Sequence, residues 1–126
     1  MRFMKSNLLP GLLIILLLVF LIPHALAGWK VIYTTRDTLK SGASLGYKPF
    51  KLYKNVEYGI VVKKIAGNVD ADVFLFNPGD RLVAKGVKKG DSNLLLFKPS
   101  ITEEGYKIVI KSKKSEGEIR LTLAHK

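Results

Sequence analysis

Two acids two residues apart, Asp70 and Asp72, head the stretch DADVFLFNPGDRLVAKG, Asp70 to Gly86. A greasy run follows them, then an Asn-Pro-Gly-Asp turn and a second half-apolar run. Acids at that spacing could serve a metal loop, catalytic machinery, or a hairpin that is acidic at one end. The local pattern favours the hairpin. Val73 and Leu75 alternate with Phe74 and Phe76, so both faces are apolar and the strand is expected to be central. Pro78 suits the first turn corner and Gly79 a position of positive φ, while Asn77 and Asp80 can fold their side chains onto the turn backbone.

Other residues that could do chemistry are few. His125, next to the C-terminus, is the one histidine beyond residue 27, which argues against a Ser-His-Asp arrangement. Cysteine is absent, so thiol chemistry and cysteine metal sites are excluded, and the usual zinc ligands are lacking. Glu103 and Glu104 could pose as paired carboxylates, but adjacent residues of an extended segment point apart, and TEEG reads as a solvated turn. KGVKKG has the glycines and lysines of a phosphate loop without a following helix to hold the phosphate.

Charge is the more informative feature. Of 21 basic residues, Arg2 and Lys5 precede an apolar run, which leaves 19 against 10 acids, a formal +9. Most of these are lysines, and glutamine is missing, a composition that fits a heat-adapted source. Lys63, Lys64, Lys85, Lys88, Lys89, Lys107, Lys111, Lys113 and Lys114 fall at strand ends, in loops, or at alternate positions of one strand. Such a surface attracts polyanions in a salt-sensitive way; scattered lysines also keep a domain soluble and guard its edges. Tyr47, Phe50 and Tyr53 interleave with lysines, yet edge-strand packing accounts for them equally well, and nucleic acid is not favoured.

The elements that must position these residues begin after residue 27. Arg2 and Lys5, the 15 apolar residues Leu8 to Ile22, and Ala25-Leu26-Ala27 are in the order of a secretory signal peptide. Residues 1–27 are therefore expected to be a signal helix cleaved after Ala27, or else an uncleaved N-terminal anchor. Either way the remainder is exported: secreted, periplasmic or otherwise extracytoplasmic. Residues 28–126, 99 in number, suit a single domain.

That domain reads in period two. Strands are expected over Lys30–Thr35, Tyr58–Gly67, Ala71–Asn77, Arg81–Lys85, Asn93–Lys98, Gly105–Lys113 and Glu118–Lys126, with a weaker edge strand in Ser44–Tyr53 around Pro49. Turn signals separate them, RD at Arg36-Asp37 among them. The pattern predicts an all-β, antiparallel, jelly-roll-like sandwich of seven or eight strands.

DADVFLFNPGDRLVAKG, NLLLFKPSITEEGYKIVIKS and GEIRLTLA together resemble the bacterial pre-peptidase C-terminal domain: Asp-x-Asp, an aromatic-aliphatic strand, a Pro/Gly turn, then Gly-Tyr and an alternating strand. The same order is similar to the Golgi-dynamics (GOLD) β-sandwich. The resemblance covers roughly Phe50 to Ala124. It implies a non-catalytic accessory module that contacts other proteins. It also implies a calcium site, which would fall on Asp70 and Asp72 with Asn68; calcium takes 6–8 oxygens, so backbone carbonyls would have to help. The first expectation is thus an exported module that mediates protein contacts in the envelope or secreted space. The second is a polyanion- or glycan-binding module that works through a lysine-rich face, and an enzyme is the third.

Overall fold

The computed structural model describes residues 28–47, 49–113 and 115–126; the expected signal segment lies outside them. Ten strands and, among the described residues, no helix make up the domain: β1 Lys30–Leu39, β2 Ser44–Gly46, β3 Phe50–Leu52, β4 Tyr58–Gly67, β5 Ala71–Phe76, β6 Leu82–Lys85, β7 Val87–Lys89, β8 Ser92–Phe97, β9 Glu103–Ser112 and β10 Gly117–His125. They form two antiparallel sheets. The first has the order β1-β10-β4-β8-β7; in the second, β2-β9-β5-β6, the strand β3 also pairs with β9.

Alternation builds the interior. Ile119, Leu121 and Leu123 of β10, Ile60 and Val62 of β4 and Leu95 of β8 meet Val73 and Leu75 of β5 and Tyr106, Ile108 and Ile110 of β9 in one buried cluster. β5 is central, between β9 and β6, as its two apolar faces predict. Val73 and Leu75 are buried while Phe74 and Phe76 are half-exposed on the outer side.

The strand count exceeds the expected seven or eight, for two reasons. The Ser44–Tyr53 segment is a broken edge: β2 pairs with Val109–Lys111 and β3 with Glu103–Tyr106 of the same β9. Pro49 lies in the gap, and a proline has no N–H to give a ladder. β7 lies within KGVKKG and is three exposed residues long, so it carries no apolar alternation that could reveal it. Two turn expectations also fail. Arg36 and Asp37 continue β1 in register with Arg120 and Ile119. Their polar ends are held from outside the strand: Arg36 makes a two-pronged pair with Glu118, at 2.8 and 3.1 Å, and Asp37 accepts a 2.9 Å bond from Tyr47. Glu103 and Glu104 open β9, opposite Leu52 and Lys51, in place of a solvated turn.

The Asn77–Asp80 corner is a hairpin, with one correction. The residue at positive φ is Asp80 (62°), where Gly79 was expected. Asp80 N–H donates to Asn77 O, Asn77 N–H to Arg81 O, and Arg81 N–H to Asn77 Oδ1, each at 2.9 Å. The three-residue loop thus closes with a left-handed residue beside a bulge, a conformation aspartate tolerates.

Candidate functional site

Asp70 lies just before β5 and Asp72 inside it, and Lys88 of β7 reaches across from the other sheet. Its ammonium donates to the Asp70 carboxylate and lies 3.5 Å from Asp72 Oδ1. A side-chain cation therefore occupies the space between the two carboxylates. Asn68 is exposed in the preceding loop. Among the described residues no group of three or more His, Asp or Glu side chains gathers as a metal shell. Beside the pair, Lys64, Asp91 and Asn93 line a cleft of about 80 Å³ at the open end of the sandwich, room for about two or three waters.

The Lys88 hydrogen bond holds the Asp70 carboxyl below the ordinary carboxylate value; slight burial opposes this, and the charges of Lys88 and Lys113 reinforce it. Because the folded value is the lower one, the contact adds stability above the unfolded value, about 3.9, and loses it as pH falls through the folded value. In Lys88→Met, Asp70 is expected to titrate closer to about 3.9 by carboxyl NMR. An unmoved titration would show that Lys88 does not set it.

The lysines singled out in the sequence do not form one patch. Lys85, Lys107 and Lys111 belong to the second sheet, where Lys107 pairs with Asp80 at 2.7 Å and Lys85 and Lys111 lie over the Phe74 ring. Lys64 and Lys88 border the cleft, and Lys113 lies near Asp70 in the same end of the molecule. Lys114 is outside the described residues. That leaves Lys63 and Lys89, on the outer face of the first sheet.

There the ladder assembles an arrangement that no run of residues announces. Lys89 is opposite Ser92, Ser92 opposite Lys63, Lys63 opposite Arg120, and Arg120 opposite Arg36. Residues directly opposite share a face. Arg120 alternates with the buried Ile119 and Leu121, and Ser92 and Lys89 flank the inward positions Asn93 and Lys88, so the whole row points outward. Four cations thus cross five strands, about 19 Å at 4.8 Å per strand. Arg36 is satisfied by Glu118. Among the described residues, no carboxylate stands within ion-pair distance of Lys63, Lys89 or Arg120, and Arg120 Nε is buried without a hydrogen-bond partner. Both arginines were missed in the sequence: Arg120 looks like an ordinary polar position of an alternating strand, and Arg36 reads as part of a turn although β1 runs on to Leu39.

The same face is apolar toward its other end. The next rung runs Val87, Leu94, Val61, Thr122, Thr34, and the one after it Leu96, Gly59, Ala124. Trp29 and Leu94 pack on the buried Val61 and Ala124.

Residues weighed for catalysis are apart. His125 is half-buried at the end of β10 and its Nδ1 lies 3.1 Å from Lys126 O. Glu103 is half-buried and 3.4 Å from the Tyr106 hydroxyl, while Glu104 is exposed on the other side of the strand. Of the interleaved aromatics, Tyr47 donates to Asp37; burial first, then that bond, pushes its hydroxyl above its usual pKa. Phe50 packs edge-on against Tyr33 with 5.4 Å between ring centres.

No protein-family model matches the chain, and no curated protein matches it in sequence.

Proposed function

We propose that residues 28–126 are a non-catalytic, exported binding module that holds an anionic polymer or surface along the Lys89–Lys63–Arg120–Arg36 row. The row itself carries the reading. Like charges placed directly opposite on neighbouring strands destabilise a sheet, and a bound polyanion converts that repulsion into attraction while releasing its counterions. The protein-contact role implied by the pre-peptidase and GOLD resemblance fits the same exported setting but assigns no side chains. The jelly-roll reading draws support from the strand order. With β2 and β3 taken as one edge strand and β7 and β8 as one arm, four strands face four, and the chain changes sheet at every other link except the β5–β6 hairpin.

The test is retention of the full chain, held in non-ionic detergent, on heparin resin. The natural protein is expected to elute above physiological ionic strength, about 0.15 M. The triple variant Lys63→Thr, Lys89→Thr, Arg120→Thr is expected to elute well below it, with its log–log salt slope reduced by about 2–3. Lys85→Thr, Lys107→Thr, Lys111→Thr removes the same charge from the second sheet and is expected to change elution little. Equal losses in the two triples would mean that net charge, not this row, governs retention.

A further inference from the structure

We infer that the anionic partner of this face is a lipid bilayer, with the cationic row on the headgroups and the apolar rungs beside it sunk below them; the inference rests on the reading of the row given above. The apolar half is what a dissolved polyanion leaves unexplained. Val87 is 62%, Leu96 52% and Ile32 47% exposed; Val87 pairs with Leu94, Leu96 follows two residues on along the same outer face, and Ile32 stands at the β1 bulge beside Ala124, on which Trp29 packs. Successive rungs are two residues apart, so the row and the Leu96 rung are separated by about 13 Å along the strands. A headgroup layer and the upper acyl region present phosphate and hydrocarbon at that kind of spacing.

Two further observations identify the occupant. Trp29 is the chain's single tryptophan, and an indole with an apolar body and a polar N–H is suited to the boundary between lipid and water. Trp29 packs on Val61 and Ala124 of this face, and in sequence the apolar run Leu8–Ile22 precedes it closely. The five residues between Ile22 and Gly28 can span at most about 20 Å. While that run is in a bilayer, the face is therefore held within reach of the headgroups, where an excess of cations is drawn to anionic lipid.

Because the chain has no cysteine, single-cysteine variants can report on this face directly. Val87→Cys, Leu96→Cys and, on the second sheet, Leu82→Cys are labelled with an environment-sensitive fluorophore. Each full-length chain is reconstituted into phosphatidylcholine vesicles with or without phosphatidylglycerol. With phosphatidylglycerol, labels at 87 and 96 are expected to shift to the blue and to be quenched by brominated acyl chains. The label at 82, which starts 52% exposed, is expected to stay in water. In the Lys63→Thr, Lys89→Thr, Arg120→Thr background the shifts at 87 and 96 are expected to vanish. Labels at 87 and 96 that remain in water while heparin retention persists would overturn the bilayer and leave the reading of the row standing. Shifts that survive the triple substitution would instead overturn the row, and equal shifts at 82 would overturn the face.

Discussion

Leu121→Ala is expected to lower the unfolding free energy by about 2–5 kcal/mol, the range for a leucine removed from a close-packed interior. Leu121 is 0% exposed, on β10, between β1 and β4 in the middle of the first sheet. Its neighbours in the ladder, Val62 and Thr35, are fixed in register and cannot close over the missing atoms without bending two strands. Stability for a domain of this size is only about 5–15 kcal/mol. The melting temperature should therefore fall by about 8 °C or more, since 1 kcal/mol corresponds to about 4–8 °C. Urea titration of the natural and variant chains measures the difference. A loss below about 1 kcal/mol would mean that the two sheets do not share the interior described for them.

Gly86→Ala is expected to cost about 2–4 kcal/mol, through overpacking and a disturbed buried amide. Gly86 stands between β6 and β7, where the chain leaves the second sheet for the first, and its N–H donates to Val73 O at 2.9 Å. A Cβ there would lie 1.7 Å from Asn93 Oδ1 and 2.3 Å from a Val73 methyl. Asn93 is 3% exposed, and its amide nitrogen donates to Ala71 O at 3.0 Å, so a swing of the side chain breaks an interior bond. Among the described residues Asn93 Oδ1 has no hydrogen-bond donor; it rests against the Gly86 backbone. A double-mutant cycle isolates the contact: Gly86→Ala with Asn93→Ala is expected to fall short of additivity by more than about 1 kcal/mol. Additivity within about 0.5 kcal/mol, as for independent sites, would show that the amide is not what the new methyl meets.

How much of this was legible in the sequence follows from the range of each interaction. β4 matches the expected Tyr58–Gly67, and Ile119, Leu121 and Leu123 face inward as their spacing predicts. Those are local alternations. The turn at Asn77–Asp80 was legible in its chemistry but not in which residue takes positive φ, because that depends on how the strands pair beyond it, where Val83 bulges between Leu82 and Ala84. Arg36-Asp37 reads as a turn until Glu118 and Tyr47 arrive from distant segments. The site was legible only as a list. Nothing local says that Lys88 settles between Asp70 and Asp72, or that Lys63 and Lys89 line up with two arginines. Register between remote strands decides both.

The pairing of β1 with β10 has a consequence for how the chain comes together. Among the described residues, Lys30 to Leu39 find their ladder only on Gly117 to His125, and β1 is an edge with no second neighbour. A polypeptide emerging from a ribosome presents β1 before the other nine described strands and its partner β10 after them. Closing so large a loop makes the contact order high and the collapse slow. Throughout synthesis Tyr33 and Leu39 have no sheet to join, so this leading strand is where a chaperone has most to shield.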